Sequence, residues 1–256
     1  MSFKVNNQEL GKINFNNQKV YSVYYNDVLV WEAPLDFVSV GWDYLYNLCK
    51  AKQAGTITEW PNYIQLGEIK TVSYTDWEGY TRYLPVRLID IETEGPGILV
   101  FQLIMPKIHP STMGSGIYLQ NYGDTDLGDI ENGVYGSDLS ISEYIKPLKK
   151  GGEEKRHWFL SANEMGETLD KIVNSNGATI QITGEFTEGI STPYPYMTIP
   201  ENRIAKVGSG DNLTHYSYWL RTGTGVFGIG HYYVDTDGTI KDSKPQHHKL
   251  GCFAIG

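Results

Sequence analysis

The chain has 256 residues, enough for one large domain and a small one, and its 19 Tyr, 28 Gly and 6 Trp with only 20% charged residues describe a β-rich protein. A net charge of −9 excludes the clustered Lys and Arg that phosphate binding requires, so no nucleic-acid partner is expected. No apolar run approaches the ~20 residues of a membrane span, so no membrane insertion is expected. Met1-Ser2-Phe3-Lys4-Val5 enters a strand pattern without a signal-peptide core, which implies synthesis in a cytoplasm and no secretory export.

The first 32 residues carry one pattern three times at ten-residue spacing: Val5-Asn6-Asn7-Gln8, Phe15-Asn16-Asn17-Gln18 and Tyr25-Asn26-Asp27-Val28. Asn-Asn and Asn-Asp tolerate the positive φ of tight hairpin turns, and β-formers flank each pair. The pattern predicts a four-stranded β-meander ending at Trp31. A unit this small buries little core of its own and needs a partner. The stretch 33–36, Ala-Pro-Leu-Asp, reads as a linker between an N-terminal β-module (1–33) and a second domain (36–256).

Beyond the linker, Trp42, Leu45, Leu48 and Cys49 fall at helical spacing within 39–53, and Gly55 stands where a C-terminal cap belongs. Strands are expected at 82–91 and 98–105, joined by the turn Glu94-Gly95-Pro96-Gly97. Residues 109–137 are rich in Gly, Asp and Tyr and read as a long ordered loop, a feature that tends to be functional. A second helix is expected from 138 to 148, with Leu139, Ile141, Tyr144 and Ile145 inward. The rest consists of short pieces. These are a strand at 158–160, a short helix at Asn163-Glu164-Met165 capped by Ser161, and a strand at 178–183. C-terminal hairpins follow at 216–221, 231–234 and 250–255. The class is α+β: a small N-terminal β-meander, then a domain with two main helices, short antiparallel strands and long loops.

Catalytic constellations are absent from the pattern. No nucleophile elbow occurs, Val207-Gly208-Ser209-Gly210 lacks its flanks, and adjacent His247 and His248 would point to opposite faces of a strand. The acidic run 124–131 fails a calcium-loop register, with Gly128 where an oxygen ligand belongs and Tyr135 in place of the closing Glu. No metal or cofactor is expected. Cys49 and Cys252 read as buried, reduced thiols, and the basic stretch 146–156, interrupted by Glu153 and Glu154, as a solvated loop. Tyr194-Pro195-Tyr196 and His231-Tyr232-Tyr233 place rigid amphipathic rings among Thr, Ser, Gly and Asn, the mixture found in recognition surfaces. Tyr122, Tyr194, Tyr196 and Tyr232 are the ligand-binding candidates. Trp219 and Arg221 share one face of their strand, and Arg221 is expected to be tied to a carboxylate or to loop carbonyls.

The run from Lys19 to Trp31, K-V-Y-S-V-Y-Y-N-D-V-L-V-W, resembles a unit common in tail proteins of phages of Gram-positive bacteria, where it precedes a variable module. Residues 36–256 resemble an uncharacterised domain family of phage and gut-bacterial proteins with a C-type-lectin-like fold. The matching elements are Ile64 to Lys70, Val86 to Ile91, Gly136 to Leu139, Trp158 to Glu164 and, most distinctively, Tyr218-Trp219-Leu220-Arg221. The chain departs from that family at Gly251-Cys252-Phe253, where an Arg-Pro-aromatic strand is usual. It also lacks the reactive cysteine context of the related formylglycine-generating enzymes. The resemblance implies a non-enzymatic phage tail-appendage protein, a tail fibre or tip component of the virion, assembled in the host cytoplasm. It would bind other tail proteins through 1–33, form a homo-oligomer and recognise a bacterial surface glycan. The alternatives are a structural tail protein without a ligand and a cell-wall-degrading enzyme.

Overall fold

A computed structural model of the chain describes residues 36–75, 81–104, 139–150, 153–167, 192–207, 214–223, 231–243 and 250–256, together with strand pieces between 4 and 32 and at 172–173 and 179–180. The N-terminal pieces are β1 (Lys4–Val5), β2 (Gln8–Glu9), β3 (Ile13–Phe15), β4 (Gln18–Val20), β5 (Ser22–Tyr25) and β6 (Val28–Glu32). Val5 pairs with Gln8, Phe15 with Gln18 and Tyr25 with Val28, so each repeated Asn pair falls between bonded partners. The repeat thus falls in step with the pairing, but the pairing corrects the meander. Among the described residues these strands form three separate two-stranded sheets. Each ten-residue unit closes on itself because its own turn supplies the nearest partner.

Helix α1 (Trp42–Gln53) follows Gly41, with Asp43 in its first turn and Lys50 and Lys52 in its last, signs that suit the helix dipole. Leu45 and Cys49, four residues apart, are buried on one face. Gly55, at φ +70°, ends the helix as the sequence implies.

The helix lies on one face of a five-stranded antiparallel sheet. Its strands are β7 (Ile69–Thr75), β8 (Thr81–Ile91), β9 (Leu99–Leu103), β12 (His157–Trp158) and β20 (Cys252–Ile255), in the order β12-β20-β9-β8-β7. The intervening hairpin is β10 (Leu148–Lys150) with β11 (Glu153–Lys155). Phe101 and Phe253 stack with centroids 5.4 Å apart, and Trp42 meets Phe101 edge-on at 5.1 Å. Every residue of β9 and β20 is buried, so both faces of the sheet are covered. On the helix side Lys70 is buried and donates from Nζ to the carbonyl oxygens of Phe37 and Val38, at 3.1 and 3.2 Å, and of Val40.

The other face is covered by the Tyr194–Arg203 region and by a second sheet. Short hairpins here are β13 (Ile172–Val173) with β14 (Thr179–Ile180), and β15 (Ala205–Val207) with β16 (Thr214–Tyr216). Helix α2 (Pro200–Arg203) precedes β15, and β17 (Tyr218–Gly223), β18 (His231–Val234) and β19 (Ile240–Ser243) form a three-stranded antiparallel sheet. Gly238, at φ +84°, closes the β18–β19 turn where a Cβ would stand 2.0 Å from the Pro200 carbonyl oxygen.

The class is α+β, with antiparallel sheets throughout. The helix expected at 138–148 is a correction: only Ser142–Tyr144 forms a single 3-10 turn, and Leu148 already belongs to β10. Pro147 bars its predecessor from helical conformation, and Ile145 is extended and bridges to Ile255. Of the expected inward set Leu139, Ile141 and Ile145 are buried, whereas Tyr144 is only partly so. The C-terminal hairpin reading holds for β17 and β18, but the strand across the turn from β18 is β19, which was not expected, and β20 leaves that sheet to pair with β9 and β12. The expected loop at 109–137 lies outside the described residues.

Candidate functional site

One cross-strand row organises the second face of the central sheet. Register aligns Ile69 with Arg87, Arg87 with Gln102, Gln102 with Cys252 and Cys252 with Trp158. Paired residues share a face, so an apolar sheet carries a cation, an amide and a thiol in line. Tyr194-Pro195-Tyr196 lies over this row, and Pro195 opens the 3-10 turn Pro195–Thr198 with its fixed φ.

At the Trp158 end the polar groups answer one another. Lys150 Nζ sits 5.0 Å from the Trp158 ring centroid, donates to Glu164 Oε1 and to the Tyr194 hydroxyl, each at 2.8 Å, and pairs with Glu94. The Tyr194 hydroxyl donates to Glu94 Oε1 at 2.6 Å. Glu164, fully buried, accepts from Arg221 Nη1 at 2.8 Å and from the Ser161 amide at 2.9 Å. The Glu164 amide in turn donates to Ser161 Oγ at 3.2 Å, the reciprocal arrangement of a capping box. Arg221 also donates to the Phe159 carbonyl at 2.6 Å, so it is tied to both a carboxylate and a loop carbonyl, as the strand pattern implies.

Electrostatics follow from these contacts. Burial alone would push the Glu164 carboxyl up, but Arg221 and then Lys150 hold it below the usual carboxylate range. Burial, reinforced by Glu164 and Glu94, drives the Tyr194 phenol well above its ordinary value. Burial does the same to Cys252, and Cys49 is pushed up to about 12, so both thiols are buried and protonated at neutral pH. A catalytic acid or base works best near the operating pH. Glu164 and Tyr194 are displaced from it, and the cluster binds together the 92–97 turn, β10, the 161–165 turn and β17.

Arg87 occupies the other half of the row. It is 8% exposed, and its Cζ lies 5.3 Å from the centroid of the half-buried Tyr196 ring. That ring packs over Gly67, where a Cβ would stand 2.9 Å from the Tyr196 hydroxyl oxygen. Asn202 Nδ2 donates to the Tyr196 carbonyl at 3.0 Å and fixes the backbone below it. Leu66, Ile69 and Ile199 are exposed around the segment.

The four tyrosines proposed for a ligand therefore part company. Tyr194 and Tyr232 are each 0% exposed, a correction, because a ring with no accessible face cannot stack on an external ligand. Tyr194 is instead the hydroxyl hub of the Lys150 cluster, and Tyr232 packs inside the second sheet. Tyr196 is only partly buried. Tyr122 lies outside the described residues, as does the acidic run at 124–131. The sequence pattern did not single out Arg87 and placed Glu94 only in a turn. The solvated loop expected at 146–156 is a correction, for 148–150 pairs with 153–155 and Lys150 is buried because Glu94 and Glu164 answer its charge. Arg87 had a signal in retrospect: a charge inside the apolar run Leu84 to Ile91 marks a buried ion. Among the described residues no group of three or more His, Cys, Asp or Glu side chains is placed to hold a metal ion. Comparison with protein-family models, with curated proteins and with solved structures finds no match.

Proposed function

We propose that the chain is a bacteriophage tail-appendage protein, carried on the virion tail and assembled in the host cytoplasm, that recognises a glycan on the bacterial surface without acting on it as an enzyme. The observation that carries this reading is the ten-residue repeat, folded as three two-stranded hairpins ahead of an α+β body. Isolated two-stranded hairpins are marginal in water, which supports docking of residues 1–33 to other tail proteins or to further copies in a homo-oligomer. Residues 36–256 are in this reading a C-type-lectin-like domain. The resemblance of Tyr218-Trp219-Leu220-Arg221 supports it, and Arg221 is the residue that binds the Glu164 turn to β17. Recognition falls to Tyr196 and its surroundings, with Tyr122 as a second ring. Weak single sites gain avidity from repeated copies. No metal or cofactor enters the reading.

A second reading, a structural tail protein with no ligand, draws on the burial of Tyr194 and Tyr232, which removes two candidate rings from the surface. One experiment separates the two. Fluorescently labelled full chain and residues 36–256 are incubated with a panel of Gram-positive cells and with isolated walls. The recognition reading expects binding by the full chain and weaker, monovalent binding by the truncation. A folded full chain that enters virions yet binds no cell favours the structural reading, and loss of wall turbidity overturns both.

A further inference from the structure

Among the described residues three cations, Lys150, Arg221 and Arg87, lie along the central row and its cover, with two carboxylates beside them, Glu94 and Glu164, both bound to Lys150. Arg87 is the one left over. Of its five N–H groups, one on Nη2 donates to Gln102 Oε1 at 3.0 Å. Nε is buried with no acceptor, and among the described residues no carboxylate pairs with the guanidinium. Desolvating a cation without a counter-charge is unfavourable, and native structures seldom leave such a donor unmatched. The partly buried Tyr196 ring packs on the guanidinium, and Ile69 is the cross-strand neighbour of Arg87. Leu66, Ile69 and Ile199 are exposed nearby in sequence to the residues of the row and its cover.

We propose that Arg87 anchors a carboxylate subsite beneath Tyr196, and that the carboxylate belongs to an acidic sugar of a surface glycan. One excess positive charge calls for a monoanion, and a carboxylate matches the planar guanidinium fork with two parallel N–H···O bonds. A pyranose ring carries an apolar C–H face that fits the tyrosine ring and the exposed aliphatic side chains, which a hydrated phosphate does not. Rotation of the Tyr196 side chain opens the guanidinium to solvent while Asn202 keeps the backbone in place. That the carrier is a sugar rests on the glycan reading above; the carboxylate itself does not.

The test titrates the full-length protein with D-glucuronate at millimolar concentrations, with D-glucose and sodium chloride as controls, and follows the melting temperature and the NMR spectrum. The subsite expects a saturable response to glucuronate alone, weakened at least tenfold in Arg87→Met. Equal responses to glucose, or a glucuronate response that survives Arg87→Met, overturn it. Should Arg87→Met fail to fold, Arg87→Lys decides, since it keeps the charge without the fork: a tenfold weaker response supports the subsite and an unchanged one overturns it. A protein that takes glucuronate through Arg87 but binds no bacterium keeps the subsite and overturns glycan recognition. One that binds cells equally well after Arg87→Met keeps recognition and overturns the subsite.

Discussion

Arg221 on β17 and Arg87 on β8 lie at similar depth on neighbouring layers, and their surroundings differ in one respect. Arg221 meets the Glu164 carboxylate and the Phe159 carbonyl, whereas Arg87 meets a neutral amide oxygen and the face of a ring. A third buried arginine, Arg203, follows the first pattern. It donates to the carbonyls of Met197, Met165 and Thr198, and pairs with Glu167. Arg221 and Arg203 are thus answered by carboxylates and backbone carbonyls, whereas Arg87 is answered by a side-chain amide and a ring. Removing half of a buried ion pair strands a charge, while removing Arg87 strands no charge and only the neutral Gln102 Oε1. The two arginines therefore respond oppositely to the same substitution.

The largest effect falls on Glu164, which stands between two cations. Glu164→Gln leaves Lys150 and Arg221 without their shared counter-ion and costs about 3–5 kcal/mol, as broken buried pairs do. For a domain of this size the melting temperature falls by roughly 10 °C. Arg221→Met moves in the same direction, and Arg87→Met leaves the melting temperature unchanged or raises it. Equal destabilisation by the two Met variants, read by thermal unfolding, would break the comparison. The acid limb sharpens it. The folded Glu164 carboxyl lies below its ordinary 4.5, so its stabilisation is present above that pH and is lost as pH falls through the folded value. The Glu164→Gln variant lacks that loss.

Much of the framework half was legible in the sequence. Ser161 three residues before Glu164 announces a capping box, and Gly55 and the Gly95-Pro96-Gly97 run mark ends that the backbone confirms with φ of +70°, +126° and +67°. Alternation in Trp219-Leu220-Arg221 announced that Arg221 would need a partner. The pairing of β20 with β9 and β12 was not legible, because a fully buried strand shows no alternation to set its register. The 138–148 stretch misled for a related reason: Leu139, Ile141 and Ile145 do face inward, but from a turn and a bridge whose spacing imitates a helix. The candidate site was half legible. Tyr194-Pro195-Tyr196 stood out by composition, yet adjacency to Pro195 does not say which ring turns inward. That depends on Lys150 and Glu94, residues 44 and 100 positions away in the chain.

Two further buried groups flank the comparison, with a smaller effect. Asp90, 1% exposed, accepts from the Thr93 amide at 3.0 Å and its hydroxyl at 2.5 Å, and burial raises its carboxyl to about 6. Burial, then Arg156, lowers His157 to about 4, and both of its ring nitrogens are buried without an acceptor or donor. Between about pH 4 and 6 the native state holds one proton more than the unfolded chain at Asp90 and one fewer at His157. Stability therefore falls with rising pH at the first group and rises at the second, each by roughly 2 kcal/mol after solvent screening, and the two slopes offset. Relative to wild type, Asp90→Asn should gain stability with pH across this window and His157→Gln should lose it. Urea unfolding at three pH values measures both, and parallel profiles for the two variants would refute the opposition.

The smallest effects divide the two tyrosines of the triplet. Tyr194→Phe removes a hydroxyl that Glu94 and Lys150 both use in the core, a loss of about 1–3 kcal/mol for stranded polar groups. Tyr196→Ala removes a cation–π contact of about 0.5–1 kcal/mol, but it also lets water reach the Arg87 guanidinium, which offsets the loss. The larger truncation should therefore be the milder change, with a melting temperature within a degree or two of the parent and a weakened response to glucuronate. In Arg87→Met the offset vanishes, since no cation remains to be hydrated. Tyr196→Ala should then cost more stability in that background than in the parent. If Tyr196→Ala alone lowers the melting temperature as far as Tyr194→Phe, the second ring belongs to the framework like the first, and the carboxylate subsite loses its cover.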